Sequence, residues 1–306
     1  MPVHAARDPG AGGVTGPDDD PLAAFHRHRG LLFRLAYEIL GSVADVEDVL
    51  QDTWLRWTAV DHDTVQNPRA YLARIVTRQA LNRLRSTART RETYPGPWLP
   101  EPLPTDPAGA DEQVLRTDDV TVAMLLVLET LSPDERAVFV LREAFGLGHA
   151  EIAETLGRPE DTVRQIAHRA REHVRARRPR FTVPPDRARR VAEAFVGAAL
   201  GGDLTGVTAL LAPDAVSVAD GGGKVSAARR PVHGRERVAR LLVGLTRYPL
   251  PGAGPEFGVF NGLPGILLRD GDTVDTAFLI EVSEVDGADL VTAVYAVRNP
   301  EKLAHL

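Results

Sequence analysis

The sequence predicts a multidomain fold of two all-α helical domains followed by an α+β domain. Three observations predict it. Apolar residues recur at helical spacing from about residue 22 to 178, with caps and breakers between the runs. A proline-rich stretch, YPGPWLPEPLP, interrupts that pattern, because proline blocks both helix and ladder pairing. From about Asp186 the pattern changes to two short helices, another helix near 234–247 and several strands separated by turn-formers such as Asp270-Gly271-Asp272 and Asp286-Gly287.

The 306 residues exceed one ordinary core, and 43% hydrophobic with 25% charged residues suits a folded chain. Absence of cysteine excludes a disulfide framework and thiolate metal sites. The first twenty residues lack the apolar stretch of an export signal, and no later apolar run reaches the roughly 18 residues a membrane span needs. The expected location is therefore the cytoplasm, with no membrane partner. No metal or cofactor motif is present.

Taken in order, residues 1–20 read as a disordered arm, and Asp20-Pro21 opens a first helix with Phe25, Leu32, Leu35, Ala36 and Ile39 inside, closed by Gly41. Ser42 caps a second helix, whose Val46, Val49, Leu50, Thr53, Trp54 and Trp57 form one stripe. Asp45, Asp48 and Asp52 gather on another face. Asn67-Pro68 starts a third helix with Tyr71, Leu72, Ile75, Val76 and Leu84 inside and arginines outside. This first domain spans 21–87, a linker 88–117, a second helical module 118–180 and the α+β domain 186–306. Trp98 and Leu99 are unusual in a spacer and call for a docking surface.

The net charge of −6 conceals segregation. Asn67 to Arg91 holds seven arginines and no acid, and Arg158 to Arg180 holds eight arginines against three acids. Two basic stripes on probable helices are the footprint of a protein that meets DNA phosphates at two places. In the second stripe, GHAEIAETLGRPEDTVRQIAHRAREHVR reads as a helix-turn-helix. Ile152, Ala153 and Leu156 pack inward, Gly157 makes the turn, and Val163, Ile166, Ala167 and Ala170 seat the second helix. Its free face presents Arg164, Gln165, His168, Arg169 and Arg171, side chains suited to guanine, adenine and phosphate. In the first stripe Arg69, Tyr71, Arg74 and Arg78 offer the basic groove and stacking surface that single strands need, although Tyr71 also fits a core position.

The strings SVADVEDVLQDTWLRW, NPRAYLARIVTRQALNRLR and LSPDERAVFVLREAFGLGHAEIAETLGRPEDTVRQIAHRAR together resemble regions 2 and 4 of extracytoplasmic-function sigma factors. The resemblance implies partners: core RNA polymerase, met through the β′ clamp helices by Asp45, Asp48, Gln51 and Asp52 and through the β flap, and promoter DNA. It also implies melting of the minus-10 element by roughly Asp61–Arg85. Ile166 stands where that family often has a basic residue. The C-terminal portion resembles a SnoaL-like, cystatin-type cone, and WLPEP (98–102), DGGGK (220–224) and NPEKL (299–303) fit the subgroup that carries one. These strings predict regulatory docking between the linker and the cone through Trp98, Leu99, Asp220, Lys224, Asn299, Lys302 and Leu303. DGGGK lacks the spacing of a phosphate-binding loop. Relatives of the cone fold use acid, histidine or tyrosine chemistry, but Asp220, His233, Tyr248 and Tyr295 share no acid–base spacing, so no catalytic residue is expected. Two other readings remain: a one-component DNA-binding regulator sensing a small ligand through the cone, and a cyclase- or isomerase-like enzyme with appended helices.

Overall fold

The computed structural model describes residues 21–105, 121–177, 183–246 and 254–306. The arm read over 1–20, the linker from 106 onward, Tyr248 and the side chains of Arg89 and Arg91 lie outside the described residues.

Helix α1 (Pro21–Leu40) ends at Gly41, whose φ of +68° turns the chain into α2 (Val43–Thr58). Ser42 caps α2 by accepting from the Asp45 N–H at 3.3 Å. Asn67 caps α3 (Pro68–Glu92) by accepting from Ala70 N–H at 3.1 Å. This helix runs five residues past the expected boundary at 87, because nothing in ARTRE breaks a helix before Tyr94-Pro95 does. Ile75, expected inside, is only half-buried.

Beyond the linker lie α4 (Val122–Glu129), α5 (Pro133–Phe139), a turn of π-helix (Val140–Ala144), α6 (His149–Leu156) and α7 (Glu160–Arg177). A capping box between Ser132 and Glu135 opens α5. Gly157, with φ of +63°, closes α6 so that α7 can cross it. The two helical groups do not keep separate cores. Leu32, Leu35 and Val76 of the first share one apolar cluster with Leu125, Leu141 and Ile152 of the second.

The C-terminal part contains α8 (Pro185–Leu200), α9 (Leu204–Leu210) and α10 (Arg235–Leu245). They cover one face of a six-stranded sheet of order β2-β1-β6-β5-β4-β3. Its strands are β1 (Leu211–Asp220), β2 (Val232–His233), β3 (Glu256–Phe260), β4 (Leu263–Asp270), β5 (Thr273–Val285) and β6 (Ala288–Val297). Only β1 and β6 pair parallel. Alternation sorts the side chains: Ile266, Ile280 and Val294 meet the helices, while Leu267, Leu279 and Tyr295 point to the other face. That second face is covered by Leu99 of the linker, Val122 of α4 and Leu303 of the tail. The linker also extends the sheet. Pro104 bridges Phe260, Thr105 N–H donates to Val259 C=O at 2.7 Å, and Asn261 N–H donates to Leu103 C=O at 2.8 Å.

The α1–α2 corner depends on the missing side chain of Gly41, since a Cβ there would lie 2.8 Å from the Trp98 ring. Gly41→Ala should therefore cost at least the roughly 1–2 kcal/mol of a left-handed alanine, plus displacement of Trp98. Urea denaturation checks this; wild-type stability in the variant would remove the constraint assigned to the corner.

Candidate functional site

The acidic face of α2 divides in two. Asp45 is only 16% exposed and accepts from Arg83 of α3 at 2.7 Å, so it ties two helices together. This hydrogen bond raises the Arg83 pKa against the opposing effect of burial. Asp48, Gln51 and Asp52 stay exposed, with Arg83 also reaching Asp48 at 3.1 Å. Leu55 stands one turn further on, 59% exposed. The sequence reading left Leu55 outside the buried stripe and gave it no role, because a single leucine on the outer side of a helix carries no signal of its own. The exposed patch is thus acidic with an apolar residue at its C-terminal edge, a composition suited to a protein partner.

On α3 the proposed groove residues do not stand free together. Arg69 is exposed, and Tyr71 is half-buried with its ring 5.9 Å from Trp57. Arg74 lies over the Tyr71 ring at 5.0 Å and pairs with Glu154 of α6. Arg78 donates to the carbonyls of Thr155 at 2.6 Å and Glu154 at 3.0 Å. Both arginines thereby occupy the C-terminal end of α6, where the helix dipole and unsatisfied carbonyls favour cations. Alongside, Asp134 of α5 accepts from Arg85 at 2.5 Å and Arg158 at 2.6 Å. Sequence could not reveal the contacts of Arg74 and Arg78 with α6, which join residues 76 to 80 positions apart.

On α7, Arg164, Gln165, His168 and Arg169 are exposed on the face away from buried Val163, Ile166, Ala167 and Ala170. Arg171 departs from that set: it is half-buried and pairs with Glu143 at 2.7 Å. Arg164 is exposed and pairs with Glu160 at 2.6 Å, which raises its pKa. A surface pair of this kind is weak enough to exchange for a phosphate.

The strings WLPEP, DGGGK and NPEKL meet at one point. The Asp220 carboxylate, fully buried, accepts from Tyr94 O–H at 2.6 Å, Leu99 N–H at 2.9 Å, Gly222 N–H at 3.0 Å and Lys302 Nζ at 2.8 Å. Lys302 also donates to Leu99 C=O at 2.5 Å and lies 4.0 Å from the centre of the Trp98 ring. Asn299 Nδ2 donates to Tyr94 Oη at 3.0 Å, and Lys224 pairs with Glu301 on the outside. Leu99 and Leu303 join the same apolar cluster. Burial and the adjacent Asp220 hold the Tyr94 hydroxyl protonated. Gly222 allows this closeness, because its φ is +61° and a Cβ there would collide with the Asn299 side chain.

The opposite edge of the linker holds the helices. Glu101 Oε2 accepts from Val43 N–H at 2.7 Å at the start of α2, and Glu101 N–H donates to Gly41 C=O at 3.0 Å. Tyr37 O–H donates to Glu101 C=O at 2.5 Å while accepting from Asn261 Nδ2 at 2.6 Å. Arg136 of α5, 1% exposed, donates to Glu38 C=O at 3.1 Å and pairs with Glu129. First helical group, linker, second helical group and sheet thus converge around residues 98–103.

Of the residues weighed for proton transfer, Asp220 is saturated by the contacts above and His233 is exposed on β2. Tyr295 donates to Glu281 at 2.7 Å, a buried pair that the sequence reading had not joined. Their strands are neighbours, but the two side chains are fourteen positions apart. Burial pushes the Glu281 carboxyl above its usual 4.5, and the Tyr295 hydrogen bond pulls the other way.

Two predictions follow from these buried groups. Lys302→Met leaves the Asp220 carboxylate without its cation and should destabilise the chain by about 3–5 kcal/mol, whereas Asp220→Asn combined with Lys302→Met should recover part of the loss. Equal denaturation midpoints for both would contradict the ion-pair account. For Glu281, a raised folded pKa means stability is fully present below about 4.5 and falls as pH rises through the folded value. Glu281→Gln should remove that fall, so a pH series of melting temperatures that stays parallel to wild type would refute it.

Comparison with known proteins matches residues 24–90 to sigma-70 region 2 and residues 121–174 to sigma-70 region 4. The chain is 38% identical over 297 residues to the ECF RNA polymerase sigma factor SigJ of Mycobacterium tuberculosis, covering 92% of each. It is 34% identical over 197 residues to the probable ECF sigma factor SigI of the same organism, covering 63% of this chain and 68% of that one. The crystal structure of Mycobacterium tuberculosis SigJ superposes with a TM-score of 0.72 at 34% identity, over 92% of this chain and 98% of that one. Two sigma regions in order, matched together with the α+β domain along nearly the whole of a relative, establish that the chain belongs to the extracytoplasmic-function RNA polymerase sigma factors.

Proposed function

We propose that this sigma factor recruits core polymerase through the exposed Asp48, Gln51, Asp52 and Leu55 face of α2, reads promoter DNA through α7, and is held closed by its own C-terminal domain. One observation carries the regulatory reading. Arg74 and Arg78, the α3 side chains suited to melted DNA, are occupied by Glu154 and the last carbonyls of α6. DNA engagement by α3 then requires that α6 move away, and the linker that limits this movement is bonded to Asp220 and Lys302.

By family analogy the β′ clamp helices receive the α2 face and the β flap receives the second helical module. Asp45 belongs to the α2–α3 contact more than to that surface, because it is largely buried against Arg83. A ligand-sensing repressor has no need of an acidic α2 face bordered by an exposed leucine, which favours the polymerase-binding reading over that alternative. A regulatory C-terminal domain is favoured over a catalytic one because Asp220 has no free acceptor position to spend on a substrate.

Co-elution and transcription test these roles separately. Asp48→Arg with Asp52→Arg should abolish co-elution with core polymerase while leaving the circular dichroism spectrum unchanged; retained co-elution would sink the α2 assignment. Glu154→Ala removes the partner of Arg74 and should raise promoter-dependent transcription at equal protein concentration by up to about fivefold, the equivalent of about 1 kcal/mol for an exposed pair. A fall in transcription, or none of either sign, would contradict the closed-state reading.

A further inference from the structure

A third concentration of arginine lies in the C-terminal domain, on α10 and the approach to β2. Between Arg229 and Arg240 there are five arginines and one acid, Glu236, a net charge of +4 in a chain whose total is −6. Arg229 and Arg230 lead into edge strand β2, and Arg235, Arg237 and Arg240 follow on α10. Elsewhere in this domain Arg187, Arg189, Arg269 and Arg298 each pair with a carboxylate. None of the five does so among the described residues. Val238, Ala239 and Leu242 bury one side of α10, so Arg237 and Arg240, three positions apart, share the outward side. Arg229, Arg230, Arg237 and Arg240 are exposed.

The patch also has a defined neighbour. Arg229 backbone atoms come within 3.8 Å of the space beside Gly96, three residues past the start of the linker at Thr93. The linker therefore seats the patch next to the C-terminal end of α3, the helix that carries the first basic stripe. Arginines without a carboxylate partner fit a phosphodiester backbone without desolvating a competing anion. Leu245, at the end of α10, is the one large apolar side chain exposed between Arg229 and Thr246, too little apolar surface to anchor a helix in a lipid surface.

We propose that the α10–β2 arginines bind the phosphates of duplex DNA, independently of sequence, giving this sigma factor a third DNA contact supplied by its C-terminal domain. The inference rests on the reading that the chain binds DNA. Its function would be to hold duplex beside α3 while α7 reads its own element.

The test uses the full chain and a fluorescein-labelled 30-base-pair duplex of random sequence, with anisotropy measured across a salt series. Arg230→Gln, Arg237→Gln and Arg240→Gln together should weaken binding at least tenfold at low salt and reduce the slope of log K against log salt by about 2.7 units. Arg187→Gln, Arg189→Gln and Arg190→Gln remove the same charge from α8 and should change both far less. Arg237→Gln with Arg240→Gln, on the outer side of a helix, repeats the measurement with minimal risk to folding. If the triple variant keeps the wild-type slope while Arg164→Ala with Arg169→Ala loses affinity, the patch proposal fails and DNA binding through α7 stands. If wild type binds no duplex at any salt, both fail. Loss of binding to phosphatidylglycerol vesicles or to core polymerase, with duplex binding unchanged, also overturns the proposal.

Discussion

The buried contact between Asp220 and Lys302 is what the remainder of the assembly depends on. An ion pair taken out of water is stable only when its remaining lone pairs and protons are satisfied. Here the satisfying groups are Leu99 N–H, Leu99 C=O and Tyr94 O–H, all from the linker. The C-terminal domain therefore cannot complete its own buried charge pair without the linker, and the linker cannot bury Leu99 without the domain. Trp98 closes the arrangement by laying its ring under the Lys302 ammonium, a cation–π contact that strengthens as water is excluded.

From that point order propagates in both directions along a short segment. Glu101, two residues after Leu99, supplies an acceptor to the α2 N-terminus and receives the Tyr37 hydroxyl. Leu103 and Thr105 then hydrogen-bond to the loop and edge of β3. A proline-rich chain suits this work, because it arrives nearly extended and loses little conformational freedom on docking. The N–H groups of Leu99, Glu101, Leu103 and Thr105 are taken by Asp220, Gly41, Asn261 and Val259.

Much of this was legible in the sequence where the information is local. Caps at Ser42 and Asn67, the break at Gly157, the alternating β-strands and the exposed face of α7 all follow from residue types a few positions apart. The convergence of the three short strings on one point was readable only through family resemblance, since hydrogen bonds spanning more than a hundred residues leave no periodic trace. Long-range charge choice was not readable at all. Nothing about Arg74 or Arg78 distinguishes a side chain aimed at phosphate from one aimed at the end of α6, because both targets present hydrogen-bond-accepting oxygens. Burial of Arg171 against Glu143 and of Asp45 against Arg83 escaped for the same reason.

That equivalence of targets also sets the energy scale on which a closed state can operate. On the proposed closed-state reading, DNA in place of α6 would offer Arg74 and Arg78 one set of oxygens for another, so the net cost per contact would be small. The exposed pairs at this contact are each worth up to about 1 kcal/mol, and phosphate competes through counterion release as well. A protein whose competent state is partly populated has its apparent affinity lowered only by that fraction. The α3–α6 contact therefore attenuates binding without forbidding it. The Asp220–Lys302 contact is of another kind, being buried and fully bonded, so parting the linker from it costs far more than parting α6 from α3, and the seated linker limits how far α6 can move.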